Sequence, residues 1–435
     1  MVNIYPVPCI ASADDMVLMS LTKNGLDRMM QYCYDYSCKW RYKFNALKSA
    51  VVVCNESANA FKKCKRIWRL GNDTVSEAEC YTHLGVVLSK YLSISDNLKE
   101  CNTKLRGTLL SLHTCGVSEA GGLHPFTFKK IYKSVILPKG LYGCEMWYNL
   151  TNSDILVLEK SHRFCIKYFQ GLKKQTRTDI ALGLVGMYPL LSEIDKRKLN
   201  LFGQLCRLEM RSRVKDVFLL RLSSFYMPPD RSQNGYFPDI CNVLSKYKLE
   251  GYMFKYFCDG IFPSKFKWKR LIRDSVHRYE ELSWYSRTLA DEFSLFICIH
   301  PVFEESFIWR FCRKFPEFTD KCRTIINMIS RLSTYNPEKM CSKCGQIYNR
   351  DVDHCIFECS YFEMLRNSFN ETISRKFGEP FLATIEDLDP TAQLGIYLGS
   401  LATEDDNTLA HEPSVEFYKV SITFLSSLWT KFLAL

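Results

Sequence analysis

Four soft metal donors fall within 19 residues: Cys341, Cys344, His354 and Cys359, spaced C-x2-C-x9-H-x4-C. Two thiolates two residues apart suit a tight turn over one Zn²⁺, and Gly345 permits that turn. His354 and Cys359, on a following helical turn, can close the tetrahedron. Cys355 is an alternative fourth ligand, although it adjoins His354 and reaches the same ion with difficulty. Small knuckles of this kind take single-stranded nucleic acid.

A second constellation is Ser12-Ala13-Asp14-Asp15, with Val7 to Ile10 before it and Met16-Val17-Leu18-Met19 after it. Adjacent carboxylates at a strand–turn–strand corner repel one another unless a cation neutralises them. Two-metal phosphoryl transfer needs such hard ligands, with Mg²⁺ ions clamping the attacking and leaving oxygens. A bare Asp-Asp is common in solvated turns, and the apolar flanks are what raise this one above them.

The charge distribution points the same way. The chain of 435 residues has 58 Lys and Arg against 47 Asp and Glu, a formal net charge of +11. From His124 to Leu222 there are 18 cations and 8 acids, nearly the whole surplus. Lys160, Arg163, Lys167, Lys173, Lys174 and Arg177 follow one another with no acid between them. Phe377 to Tyr418 carries nine acids and neither Lys nor Arg. Segregation of this kind reads as a middle region that faces a polyanion, RNA or single-stranded DNA.

The elements that would position these residues read as α+β, mostly α. Residues 25–38 have helical apolar spacing, with Asn24 as a plausible N-cap. Ala50 to Cys54 is a short β-branched strand, and Ile67 to Leu70, a Gly71-Asn72-Asp73 turn and Tyr81 to Leu88 suggest further strands. Helical periods follow over 150–170, 190–222, 265–293 and 302–333, with breaks at Gly121-Gly122 and Pro138. Met227 to Gly235 is the best linker. Ser414 to Leu435, with Phe417, Val420, Phe424, Leu428 and Phe432 at helical spacing, reads as a docking helix.

In this setting the ordered motifs resemble a known family. Ala13-Asp14-Asp15 before Met16 to Ser20, Asn24-Gly25-Leu26 opening a helix, and Phe44-Asn45-Ala46-Leu47-Lys48-Ser49 are similar to the palm of a reverse transcriptase. The likeness is greatest to enzymes encoded by non-LTR retrotransposons. It continues through Tyr81 to Val86, Leu137-Pro138-Lys139-Gly140 to Trp147, and Gly183 to Leu199, covering about residues 5–220. The resemblance implies a partial palm at 1–92, a basic helical thumb-like domain at 93–226 and a helical spacer at 236–333. A CCHC zinc knuckle at 338–362 and an acidic segment with the docking helix at 363–435 complete the expected order. It also implies that Asp14 and Asp15 are a vestigial catalytic pair for Mg²⁺.

Two departures qualify this. The family's Tyr before Ala is Ser12 here, and only 13 residues precede Asp14 where the family places a further metal-binding aspartate upstream. The expectation is therefore a truncated RNA-directed DNA polymerase, inactive alone. Its competitor is a non-enzymatic RNA or single-stranded DNA binder that uses the basic segment and the knuckle.

Other features carry less. His162 beside Cys165 reads as a solvated imidazole next to a core thiol, not a ligand pair, and His113 with Cys115 has no partners in sequence. Lys62 to Arg66 resembles an import patch, though short basic runs are mostly surface decoration. Cysteine, 20 of 435 residues, is too sparse for a disulfide scaffold. No apolar run is long enough to span a membrane, and Ala11-Ser12-Ala13 lacks the basic lead of a signal peptide. An intracellular protein of nucleus or cytoplasm is expected, with reduced thiols.

Overall fold

The computed structural model describes residues 9–54, 66–112, 123–226, 235–289, 294–399 and 412–434. Lys62 to Lys65, His113, Cys115, Gly121-Gly122 and most of the 227–235 linker lie outside these, as does 400–411 of the acidic segment.

The chain is mostly helical; among the described residues its small open sheets lie in the first quarter and at the Cys/His cluster. Strands β1 (Cys9–Ser12) and β2 (Asp15–Leu18) form an antiparallel hairpin, followed by helix α1 (Lys23–Trp40). The N-cap of α1 is Thr22, not Asn24, because the Thr22 side chain accepts the Gly25 N–H. Next come β3 (Ala50–Val51), β4 (Trp68–Leu70) and β5 (Asp73–Glu77), with β3 parallel and β4 antiparallel to β5. Strands β6 (Cys80–His83) and β7 (Val86–Ser89) make another hairpin. Among the described residues these strands make three separate sheets and not one continuous palm-like sheet. Most residues of β1, β5 and β6 face solvent, and no ladder of hydrogen bonds joins the three sheets. Met30, Val51, Trp68 and Val75 form the small core beneath α1.

Helix α2 (Ser95–Ser111) opens the helical body. Helix α3 (Pro125–Ile131) runs through a π turn at Tyr132–Ile136 into α4 (Leu137–Gly140). Pro138 therefore does not end the helix as its sequence position suggested. The Leu137 N–H donates to the Tyr132 carbonyl five residues back, and the wider turn carries the chain past a residue with no N–H of its own. Then follow α5 (Asn152–Gln170), α6 (Thr178–Gly183), α7 (Leu190–Cys206), α8 (Arg213–Tyr226), α9 (Tyr236–Lys246), α10 (Glu250–Asp259) and α11 (Lys265–Thr288). The expected helix at 190–222 is thus two helices. At the break, the buried Lys215 ammonium meets the last carbonyls of α7, at 3.2 Å from Leu205 O and 2.8 Å from Cys206 O.

Helices α12 (Ser294–Ile299), α13 (Phe307–Lys314) and α14 (Thr319–Ile329) lead to a hairpin of β8 (Lys339–Met340) and β9 (Ile347–Tyr348). A short helix α15 (Asp351–Asp353) continues into a π turn at His354–Glu358. Helices α16 (Glu363–Phe377), α17 (Glu379–Glu386), α18 (Pro390–Tyr397) and α19 (Glu412–Leu433) complete the order.

Two larger cores hold the described helices from α2 onward. One joins Leu199, Phe202, Trp268 and Ile272 to the helices of 213–257. The other begins at Leu98, continues through 294–332 and the Cys/His segment, and ends at Phe432. Helix α19 packs on this core through Ile422, Leu425, Leu428 and Trp429, which are wholly buried; of the face its spacing suggests, Phe417, Leu428 and Phe432 are buried while Val420 and Phe424 are half-buried. Among the described residues no helix is long and apolar enough to cross a membrane.

Candidate metal centre

The β8–β9 hairpin pairs Lys339 with Tyr348 and Met340 with Ile347, so Cys341 stands where the chain leaves the ladder. The Cys341 N–H donates to Gln346 O at 2.9 Å, and the Gly345 N–H returns to Cys341 O at 2.9 Å. Gly345 has φ +72°, a conformation that side-chain-bearing residues adopt only under strain. The resulting turn holds the two cysteines of the C-x2-C pair together.

The other two donors come from the π turn. Five residues along an α-helix is about 1.4 turns, which would point His354 and Cys359 to different sides. Here the Cys359 N–H donates to His354 O at 2.8 Å, and the wider turn brings Cys359 round to the imidazole. Cys341 Sγ lies 3.9 Å from Cys359 Sγ, and Cys344 Sγ lies 3.4 Å from His354 Nε2. All four donor atoms fall within 4.8 Å of one another. Cys341, His354 and Cys359 are buried and Cys344 is half-buried. This group could hold a metal ion. Among the described residues it is the one group of three or more His, Cys, Asp and Glu donors that could.

Cys355 is not part of it. It is wholly buried, packed in the main core with Val352, Ile356 and Phe362. One residue of helix turns a side chain by about 100°, so a residue next to His354 faces elsewhere. Burial pushes its thiol well above the ordinary range.

The surroundings orient the donors. His354 Nδ1 lies 3.4 Å from Glu358 Oε2; donating there, it leaves Nε2 directed at Cys344. The Tyr348 ring stacks on the imidazole with centroids 4.3 Å apart and planes at 5°. Tyr348 in turn donates its hydroxyl to Asp351 Oδ1 at 3.0 Å, and Lys339 and Arg331 also pair with Asp351. Burial raises the Cys341 thiol, but the N–H groups of Cys344 and Lys343, with His354, outweigh it and bring it down to about 6. Burial pushes Cys359 up to about 11. Neither Tyr348 nor Glu358 was singled out from the sequence, although Glu358 stands one helical turn after His354.

Asp14 and Asp15 lie at the corner of the β1–β2 hairpin, where Ser12 pairs with Asp15 and Ala13 takes φ 55°. Both are exposed, and no third donor joins them to make a metal-holding group among the described residues.

The six basic residues lie on and just after α5. A capping box of Thr151 and Asp154 starts that helix, and Gly171 in the left-handed conformation ends it. Lys160 is exposed; Arg163 and Lys167 are half-buried. Arg163 Nε is 3.8 Å from Glu159 Oε2. Lys167 donates to Lys174 O at 3.0 Å, which folds the following turn back on the helix, while Lys173, Lys174 and Arg177 project from it exposed. Arg106 of α2 extends this surface, bonded to Ser161 Oγ at 3.0 Å with its guanidinium 5.3 Å above the exposed Phe164 ring. His162 is not solvated as its place in a basic helix suggested. It is wholly buried, with Nδ1 2.7 Å from the Tyr132 hydroxyl and Nε2 2.9 Å from Tyr188 O.

No family model matches the chain, and neither does any curated protein or solved structure.

Proposed function

We propose that this chain is a nucleic-acid-binding protein whose Cys341–Cys344–His354–Cys359 centre holds one structural Zn²⁺ and whose basic α5 surface tracks a phosphate backbone. The donor geometry carries the reading. Tetrahedral zinc at its usual bond lengths sets sulfur–sulfur edges of about 3.8 Å and sulfur–nitrogen edges of about 3.5 Å. The corresponding distances here are 3.9 and 3.4 Å. Three thiolates and one imidazole leave no open position, so the ion's work is folding and not catalysis. Beside it Lys343 is an exposed cation, and Met340, Ile347 and Tyr361 are exposed, which suits a surface for unpaired bases.

The test is the binding of RNA, single-stranded DNA and duplex DNA to the purified protein across a salt series. Single strands should bind with a steep salt dependence, and replacing Lys160, Lys173 and Lys174 with Ala should lower the slope by roughly 2. Absence of salt-dependent binding by the wild-type chain would end this reading.

The hairpin that presents Asp14 and Asp15 favours a second reading, descent from a non-LTR reverse transcriptase. Two exposed carboxylates without a third donor among the described residues make a poor Mg²⁺ clamp, so no primer extension is proposed for this chain by itself. Template-dependent incorporation that Asp14→Ala abolishes would reverse that.

A further inference from the structure

Helix α1 carries Tyr32, Tyr36 and Trp40 four residues apart on one face, and all three are open to solvent, at 74%, 57% and 60% exposure. Arg41 ends the helix in the left-handed conformation, φ 59°, which side chains adopt reluctantly. That reversal brings Tyr42 back beside the helix, with its ring 6.4 Å from Tyr36 and 5.3 Å from Phe44. Tyr36 and Trp40 are themselves 6.0 Å apart. The rings thus make an inclined ladder on the surface, Tyr36 at 48° to Trp40 and at 70° to Tyr42, away from the small core that the other side of α1 covers.

Its chemistry names an occupant. From Tyr36 to Asn55 the sequence has Lys39, Arg41, Lys43 and Lys48 and no acid, and all four cations are exposed. The Lys39 ammonium sits 6.0 Å from the centre of the Trp40 ring. Rings alternating with cations suit a ligand of flat π faces strung on a polyanion. The step matters too. Four residues of helix rise about 6 Å, well beyond the 3.4 Å spacing of bases stacked in a duplex strand. Bases laid on successive rungs must be separated from one another, as they can be in a single strand.

We infer that Tyr32, Tyr36, Trp40 and Tyr42 form a stacking platform for single-stranded nucleic acid, with Lys39, Arg41 and Lys43 holding its phosphates. This rests on the proposed nucleic-acid-binding function and adds a third contact region, on an element separate from α5 and from the metal centre.

The test uses the full chain and an oligo(dT) of about 12 nucleotides, with a duplex of equal length as control. Combined Tyr32→Ala, Tyr36→Ala and Trp40→Ala should weaken oligo(dT) binding at least about tenfold, with the salt slope and duplex binding unchanged. Trp40→Phe should retain most of the affinity that Trp40→Ala loses. Photocrosslinking of a 5-bromodeoxyuridine oligonucleotide to the wild-type chain should map to 32–42, which checks the site without any variant. Equal affinity of the triple variant, or crosslinks confined to other segments, overturns the platform. If the α5 variant still weakens binding in that case, the functional reading survives alone. If the wild-type chain binds no single strand, both fall. A wild-type dimer that the triple variant dissociates, with oligo(dT) affinity unaltered, overturns the platform and assigns the ladder to a second copy of this chain.

Discussion

The phenol ring of Tyr348 lies flat on the imidazole of His354, 4.3 Å between centroids and 5° from parallel, although the two residues belong to different elements. Tyr348 is anchored at its far end by Asp351, so the stack fixes the ring plane of a metal donor from the strand side. Tyr348→Ala should lower Zn²⁺ affinity about tenfold, the lower range for removing a residue that orients a ligand. Tyr348→Phe keeps the stack and should lose less. Competition against a chromophoric chelator measures both, and equal affinities for wild type and Tyr348→Ala would remove the stack from the account of the site.

The donor set makes its own prediction. One Zn²⁺ per chain should bind, and Cys359→Ser should abolish stoichiometric binding because a tetrahedral site loses a corner. Cys355→Ala should leave the stoichiometry at one, since that thiol belongs to the core. Elemental analysis of the two purified variants decides the matter. Retention of zinc by Cys359→Ser together with its loss from Cys355→Ala would exchange their roles.

Phe432 of α19 lies 6.4 Å from both Tyr348 and Phe362, which flank His354 and Cys359 in sequence. Removing its ring should cost about 3 kcal/mol and weaken the metal site as well. Because an ion bound only by the folded state adds stability by mass action, excess Zn²⁺ should restore part of the melting temperature of Phe432→Ala. Lack of any metal dependence in that variant would mean that helix and centre are energetically separate.

His162 sets a pH limit. Burial holds its pKa below the usual imidazole value, and the neutral ring uses both nitrogens, one for the Tyr132 hydroxyl and one for Tyr188 O. An unfolded histidine takes up a proton near pH 6.5. The folded state takes it up only at lower pH, so the stability His162 contributes is complete above about 6.5 and is lost as pH falls toward the folded value. His300, lowered to about 4, acts in the same direction. Urea denaturation at about pH 8 and about pH 5 should show the loss, and His162→Gln should reduce it. An identical pH dependence in wild type and variant would place the titration elsewhere.

How much of this could be read from the chain depended on distance along it. The four donors were legible because a C-x2-C turn and a nearby His and Cys are local features with strict spacing. The choice between Cys355 and Cys359 turned on a π turn, which residue types do not announce. The α19 helix was legible from Phe417 to Phe432 at helical intervals, yet nothing local says that Phe432 meets Tyr348. His162 misled for a related reason: its own helix is basic, and the groups that bury it, Tyr132 and Tyr188, come from elsewhere. The carboxylate hairpin formed as expected, but the strands that would have joined it into one sheet are too short and too exposed to do so.

The continuity of the main core from Leu98 to Phe432 bears on how the molecule assembles. The β8–β9 hairpin and its π turn need only neighbouring residues to close, so an ion can be captured while the rest is still unfolded. Seating α19 requires closing far longer loops against α14 and the hairpin, and such non-local contacts form slowly. Refolding should therefore run in two stages, rapid uptake of the ion and then a slower burial of Trp429, with the metal-bound hairpin waiting as a preformed seat for the helix.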